Sequence, residues 1–238
     1  MKEAVYKAIV EKFEEWASTY TSVCRRGCSA CCTQNVTITA LEGENILAYI
    51  RENGKEVWLA EKLRQTPSSS RPRMTTNEFA HICLSGREAD PGESDALSPC
   101  SFLEEDVCGI YPVRPFSCRC FISEIGCSAS QPAQVQECYL SASTVMMQLI
   151  EHLGQKEYWG NMQDVLLALC DISINSPIAE RLDDSTGIMQ ARLRTHSARP
   201  LPGFLLSEED ERIVEPLLAD VFAVRIDGKS IKDILNGK

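Results

Sequence analysis

Cys24-Arg25-Arg26-Gly27-Cys28-Ser29-Ala30-Cys31-Cys32 places four thiols within nine residues, with no histidine among them. A thiolate is both a strong nucleophile and a soft metal ligand, so this density points to a metal site, a disulfide framework or redox chemistry. Cys28-x-x-Cys31 is the spacing at which two sulfurs turn toward one metal, and Gly27 relieves the backbone of so tight a loop. Adjacent Cys31 and Cys32 do not easily point the same way. One of them either ligates a neighbouring metal or takes another role.

A second group follows at Cys100, Cys108, Cys118 and Cys120, spread through Ser98 to Cys120. Pro99, Pro112 and Pro115 argue against a continuous helix there, so irregular backbone is expected, held by a metal. Four plus four thiols make two tetrathiolate sites or one polynuclear site, and Cys24, Cys28, Cys31, Cys32, Cys100, Cys108, Cys118 and Cys120 are the candidate metal ligands. A tetrathiolate zinc site, like an oxidised four-iron cluster so ligated, carries a charge of about −2. Arg25, Arg26, Arg114 and Arg119 stand in sequence to offset it, ordinary surface charge being the other reading.

Totals narrow the choice. With 238 residues, 44% of them hydrophobic and 24% charged, the chain has material for a real core and does not depend on disulfides to hold together. Its 34 acidic against 24 basic residues give a net charge of −10, which disfavours nonspecific binding to nucleic acid or to anionic membranes. The opening residues Met1 to Lys7 lack the apolar run of a secretory signal, and no apolar run approaches the ~18 residues a membrane span needs. A cytoplasmic protein is expected, where 12 cysteines favour metal ligation over disulfides.

Around the cysteines the periodicity is helical. Tyr6, Ile9, Val10, Phe13, Trp16, Ala17 and Tyr20 recur at spacings of three and four, the core face of an amphipathic helix leading to Cys24. Val36-Thr37-Ile38 suits a short strand, and Thr39-Ala40-Leu41-Glu42 has the spacing of a capping box that opens a helix bearing Leu41, Ile46, Leu47 and Ile50. A break at Asn53-Gly54 precedes a second helix with Val57, Trp58, Leu59 and Leu63. Loops are expected from Gln65 to Met74 and from Gly86 to Pro99, with a short strand over Phe79 to Leu84 between them.

Downstream, Val135 to Leu153 suits one long helix ending near Gly154, and Met162 to Leu169 another. Ile172 to Ser207 is weakly patterned, with a short helix around Ile178 to Leu182 and a loop through Arg199 to Gly203. Ser207 caps a further helix bearing Ile213, Val214, Leu217, Leu218, Val221 and Phe222, and a turn at Asp227-Gly228 leads to a terminal helix. The expected class is mainly α: helices packed around an irregular cysteine-rich metal-binding centre with few short strands. Residues 1–171 form the cysteine-cluster domain with its flanking helices, 172–206 a linker with a short helix, and 207–238 a C-terminal helical appendage.

The order Cys-x3-Cys-x2-Cys-Cys, Pro-Cys-x-Phe-Leu, then Cys-x-Ile-Tyr-x-x-Arg-Pro-x-x-Cys-Arg resembles the YkgJ-like cysteine-cluster family, a zinc- or iron-chelating domain related to flagellin lysine N-methylase. Val36 to Glu42 carries a further matching element. The resemblance covers about Cys24 to Arg119 and implies metal ligation by Cys24, Cys28, Cys31, Cys32, Cys100, Cys108 and Cys118; Cys120 goes beyond the shared pattern. The stretch between the two groups is longer than in many members, which leaves their mutual geometry open.

Three functions compete. The first is a metal-binding protein holding zinc or an iron-sulfur cluster, possible partners being metal ions alone. The second is an S-adenosylmethionine-dependent methyltransferase with a protein lysine as substrate, implied by the relationship to flagellin N-methylase. None of the 13 glycines forms a Gly-x-Gly pair, and Cys24-x3-Cys28-x2-Cys31, although spaced as in radical S-adenosylmethionine enzymes, is followed by no strand-helix series. The third is a redox or metal-handling module. Cys127 and Cys138 either flank the site or are free thiols, Cys83 and Cys170 read as core, and His81 with Cys83 is a weaker ligand pair. Arg192, Arg194, His196 and Arg199 read as a solvated cluster with the alternative of an anion contact.

Overall fold

The computed structural model describes residues 1–65, 71–90, 98–128 and 130–237. The loops expected at 65–74 and 86–99 lie partly outside them. The chain is mainly helical with few short strands. Helix α1 (Lys2–Ala17) buries Val5, Tyr6, Ile9, Val10 and Phe13, the stripe its periodicity marks. Strand β1 (Thr37–Thr39) runs straight into α2 (Ala40–Glu52), whose capping box is present: Thr39 accepts from the Glu42 backbone while the Glu42 carboxylate accepts from Thr39. Asn53 ends that helix, Gly54 takes φ +61°, and α3 (Glu56–Gln65) follows.

The segment Phe79 to Leu84, expected as a strand, is helical. Helix α4 (Thr76–Leu84) starts at Thr75, which accepts from the Glu78 backbone, and packs on the later helix α6. A short apolar run carries no decisive period, and the Thr75-x-x-Glu78 cap was the available sign. The cysteine-rich stretch holds a two-stranded hairpin of β2 (Leu103–Glu104) and β3 (Val107–Cys108), a 3-10 turn (Tyr111–Val113) and the short α5 (Phe116–Arg119). After it come α6 (Glu137–Leu153), β4 (Tyr158–Asn161), α7 (Met162–Leu169), α8 (Ser176–Leu182), α9 (Ser185–Arg194), β5 (His196–Ser197) and α10 (Glu208–Ala223). The hairpin β6 (Arg225–Ile226) and β7 (Lys229–Ser230) and α11 (Ile231–Leu235) close the chain. Strands β1, β4 and β5 form an antiparallel sheet with β4 in the middle, Ile38 opposite Gly160 and Trp159 opposite His196.

Two apolar cores result among the described residues. One joins α1, α6, α10 and Phe116, with Phe13, Tyr139, Met146, Leu149, Val214 and Val221 at its centre. The other joins β1, α2, α3, α7 and α8 through Ile38, Leu47, Leu59, Leu166 and Ile178. Residues 172–206, expected as a linker with a short helix, hold that helix as α8, with Ile178 and Leu182 buried, and a second, α9, with Ile188 and Ala191 buried; α10, expected in the C-terminal helical stretch, buries Val214, Leu217 and Val221 against α1 and α6. Helix α9 buries only Ile188 and Ala191, too few positions to display a period. No helix among the described residues is long and apolar enough to cross a membrane.

Candidate metal centre

The first cysteine group is a pair of turns. Cys28 N–H donates to Arg25 O at 3.0 Å with Gly27 at φ +90°, the conformation a type II turn demands of its third residue. Cys32 N–H then donates to Ser29 O at 2.9 Å. From there the chain leaves to build α2, α3 and α4, and it returns to the same place: Cys100 N–H donates to Cys32 O at 2.9 Å and Gln34 N–H to Ser98 O at 3.0 Å. The two groups thus abut directly, whatever the length of the stretch between them.

Beyond Cys100 the hairpin of β2 and β3 turns through Glu105 and Asp106, both at positive φ (47° and 66°), as a two-residue type I′ turn requires. It sets Cys108 opposite Leu103, and Ser29 Oγ donates to Asp106 Oδ1 at 2.5 Å, fastening the first loop to it. Helix α3 clamps the hairpin from outside: Trp58 Nε1 donates to Glu104 at 2.8 Å and Lys55 to Gly109 O at 3.2 Å. A Cβ at Gly109 would meet Trp58 Cζ2 at 2.4 Å, so Gly109→Ala is expected to lower stability by about 1–3 kcal/mol by driving Trp58 off the hairpin. An unchanged urea midpoint would refute that packing.

Cys118 and Cys120 are placed by α5, and α5 is placed by a carboxylate. Glu42, wholly buried at the start of α2, accepts from Thr39 N at 2.9 Å, Thr39 Oγ1 at 2.9 Å, Phe116 N at 2.9 Å and the Tyr6 hydroxyl at 3.5 Å. One side chain ties α1, α2 and the first residue of α5. Burial raises its pKa, and the N–H groups of Thr39 and Phe116 work against that rise.

All eight candidate ligands, Cys24, Cys28, Cys31, Cys32, Cys100, Cys108, Cys118 and Cys120, line a single cavity of about 690 Å³. Both cores contribute to its walls, Cys120 from the first and Ile110 and Met162 from the second. Every cysteine is a free thiol; Cys24, Cys28 and Cys31 are exposed on the loop, whereas Cys100, Cys108 and Cys118 are half-buried and Cys120 is buried. Among the described residues no three His, Cys, Asp or Glu side chains are already gathered tightly enough to grip an ion. The sulfurs share a space without forming a finished shell, so ligation requires the thiols to turn inward.

Their electrostatics fit that description. Burial, then the neighbouring Cys100, Cys108 and Cys120, push the Cys118 thiol up; burial does the same for Cys100 and Cys108 and takes Cys120 to about 12. A hydrogen bond from the Cys32 thiol lowers Cys31 to about 6 and correspondingly raises Cys32. Protons are therefore held mainly on the buried thiols, and a cation entering there must displace them. Arg114 is the cation that pulls Cys31, Cys108, Cys118 and Cys120 downward, and its guanidinium stacks 4.3 Å from the centre of the Tyr111 ring, with Arg26 at 5.6 Å.

The four arginines have separate tasks. Arg119 is structural: it pairs with Glu14 at 3.0 Å and donates to Arg114 O and Pro112 O, closing the turn that leads to Cys118. Arg25 lines the cavity. The other nominated residues stand away from its walls. Cys138 contacts the Tyr20 hydroxyl at 3.6 Å, Cys127 donates to Ile125 O, and buried Cys170 donates to Leu166 O, while Cys83 and His81 lie on α4. Of the remaining histidines, His152, which falls in no metal-site spacing, accepts from Leu201 N on Nδ1, so its Nε2–H donates to Leu235 O, and His196 bonds Pro72 O. Arg192 pairs with Asp171 and Arg194 with buried Asp164, so acids already occupy that cluster.

Sequence reading missed the residues that hold this site in place, Tyr111, Trp58 over Gly109, and Glu42 as more than a cap. Comparison of the chain with family models, curated proteins and solved structures finds no match.

Proposed function

We propose that this chain is a metal-binding protein whose two cysteine groups form one polythiolate centre for zinc or an iron-sulfur cluster, as the resemblance to the YkgJ-like family implies. The observation that carries the reading is that eight free thiols from segments far apart in sequence line one cavity, with Cys100 N–H bonded to Cys32 O. Eight thiols exceed what one closed tetrathiolate site uses, which favours a centre of more than one metal. Cys28, Cys31, Cys100, Cys108 and Cys118 are the ligands this reading requires first. Cys120 donates to Ser117 O at 3.5 Å and has less freedom to turn. Arg114 supplies the positive charge facing the thiolates.

Bound zinc would supply structural closure of the loop, and a bound iron-sulfur cluster would supply electron transfer. Protein purified without oxygen is expected to carry metal. Metal analysis, acid-labile sulfide and the visible spectrum separate the two forms: iron with sulfide and a broad band near ~400 nm marks a cluster, colourless stoichiometric zinc a thiolate site. Fully folded, metal-free protein with every thiol titratable would overturn the proposal.

A further inference from the structure

Much of the cavity wall is not sulfur. Its apolar part is built from Phe121, Ile122, Val135, Leu140, Met147 and Met162, supplied by α6, the segment before it and the start of α7, and Cys120 packs in the same core as Ile122, Val135 and Met147. The hydroxyls on that side are engaged, Ser143 donating to Tyr139 O at 2.8 Å and Thr144 to Leu140 O at 2.9 Å, so the wall offers little hydrogen bonding of its own. Of the charged residues in the lining, Asp106 accepts from Ser29, Arg114 stacks on Tyr111 and Arg119 pairs with Glu14, which leaves Arg25. Val23 N–H donates to Ser123 O at 2.9 Å, which lays the segment carrying Arg25 alongside Phe121 and Ile122, and the Arg25 guanidinium makes no hydrogen bond or ion pair with any described residue.

The cavity's 690 Å³ falls in the range of about 300–1,000 Å³ that small-molecule sites enclose. Methionine adapts its shape to varied apolar partners, and an arginine at the edge of an apolar wall selects a carboxylate or sulfonate. We infer that this chamber binds a small amphipathic anion, its apolar body on Ile122, Val135, Leu140 and Met147 and its anionic group on Arg25. The inference rests on the metal-binding reading only in reserving the thiol wall for metal.

The test uses the full chain as purified, with 1-anilinonaphthalene-8-sulfonate as fluorescent probe and dodecanoate and 2-naphthoate as competitors. One probe per chain is expected, displaced by dodecanoate if the natural ligand is acyl and by 2-naphthoate if it is aromatic. Arg25→Gln and Met147→Trp should each weaken probe binding about tenfold, the first by removing the cation and the second by narrowing the chamber. Should Met147→Trp fail to fold, Leu140→Trp reads the same space, since Leu140 is 48% exposed at the cavity edge. Absence of stoichiometric binding, or equal binding by wild type and both the Arg25 and tryptophan variants, would overturn the inference. Metal content of the same samples keeps the two readings apart: metal without probe binding defeats the chamber alone, and probe binding without metal defeats the polythiolate centre alone.

Discussion

Cys118→Ala is expected to reduce bound metal to background, with affinity falling at least about 100-fold, while Cys83→Ala and Cys138→Ala retain the wild-type content. Cys118 lines the cavity, and its thiol is pushed up by burial and by Cys100, Cys108 and Cys120, so three other candidate ligands stand near it. Structural thiolate sites bind zinc with about 10–16 kcal/mol shared among four ligands, so each ligand accounts for several kcal/mol. The exposed pair responds in the same direction: Cys28→Ala and Cys31→Ala should also release metal. The readout that separates ligation from packing is the stabilisation conferred by metal. It should vanish in Cys118→Ala, whereas chelator-treated wild type and variant should melt close together. Full metal occupancy in Cys118→Ala would remove the second cysteine group from the centre.

Glu42→Ala is expected to lower stability by about 4 kcal/mol, a fall of roughly 10 °C in Tm for a chain of this size. The carboxylate is wholly buried and receives Thr39 N, Thr39 Oγ1, Phe116 N and the Tyr6 hydroxyl; alanine leaves those donors without a partner where water does not reach. Metal affinity should fall with it, because the Phe116 N–H anchors the helical turn that carries Cys118 and Cys120. The pH dependence has a definite sign. Burial sets the folded-state pKa above the unfolded one, so this group's contribution is complete at acid pH and is lost as pH rises through the raised value. Urea midpoints measured between about pH 4 and 8 should carry that component in wild type and lack it in Glu42→Gln. A Glu42→Ala chain melting with the wild type would show that the junction is held by other contacts.

Much of the scaffold was legible before any coordinates. Thr39-x-x-Glu42 declared the start of α2, Ser207-x-x-Asp210 that of α10, and Asn53-Gly54 a helix end, because caps and turns are set by residues a few positions apart. The short helix expected around Ile178 to Leu182 is α8, but the strand expected at Phe79 to Leu84 became helix α4 and the stretch after α8 holds the unforeseen α9, since short elements take their state from what they pack on more than from their own period.

The two cysteine groups, their turn glycine and their prolines were determined by the sequence alone, since composition and short-range spacing carry thiol chemistry and local backbone limits. That Cys32 and Cys100 share a hydrogen bond, that Glu42 joins three elements, that Arg119 is structural while Arg114 faces the thiols, and that apolar residues of α6 and α7 line the same cavity as the sulfurs were decided by tertiary structure. These are meetings of residues remote in the chain. They follow from how two apolar cores close against each other, a sum of many weak contacts that no single spacing in the sequence encodes.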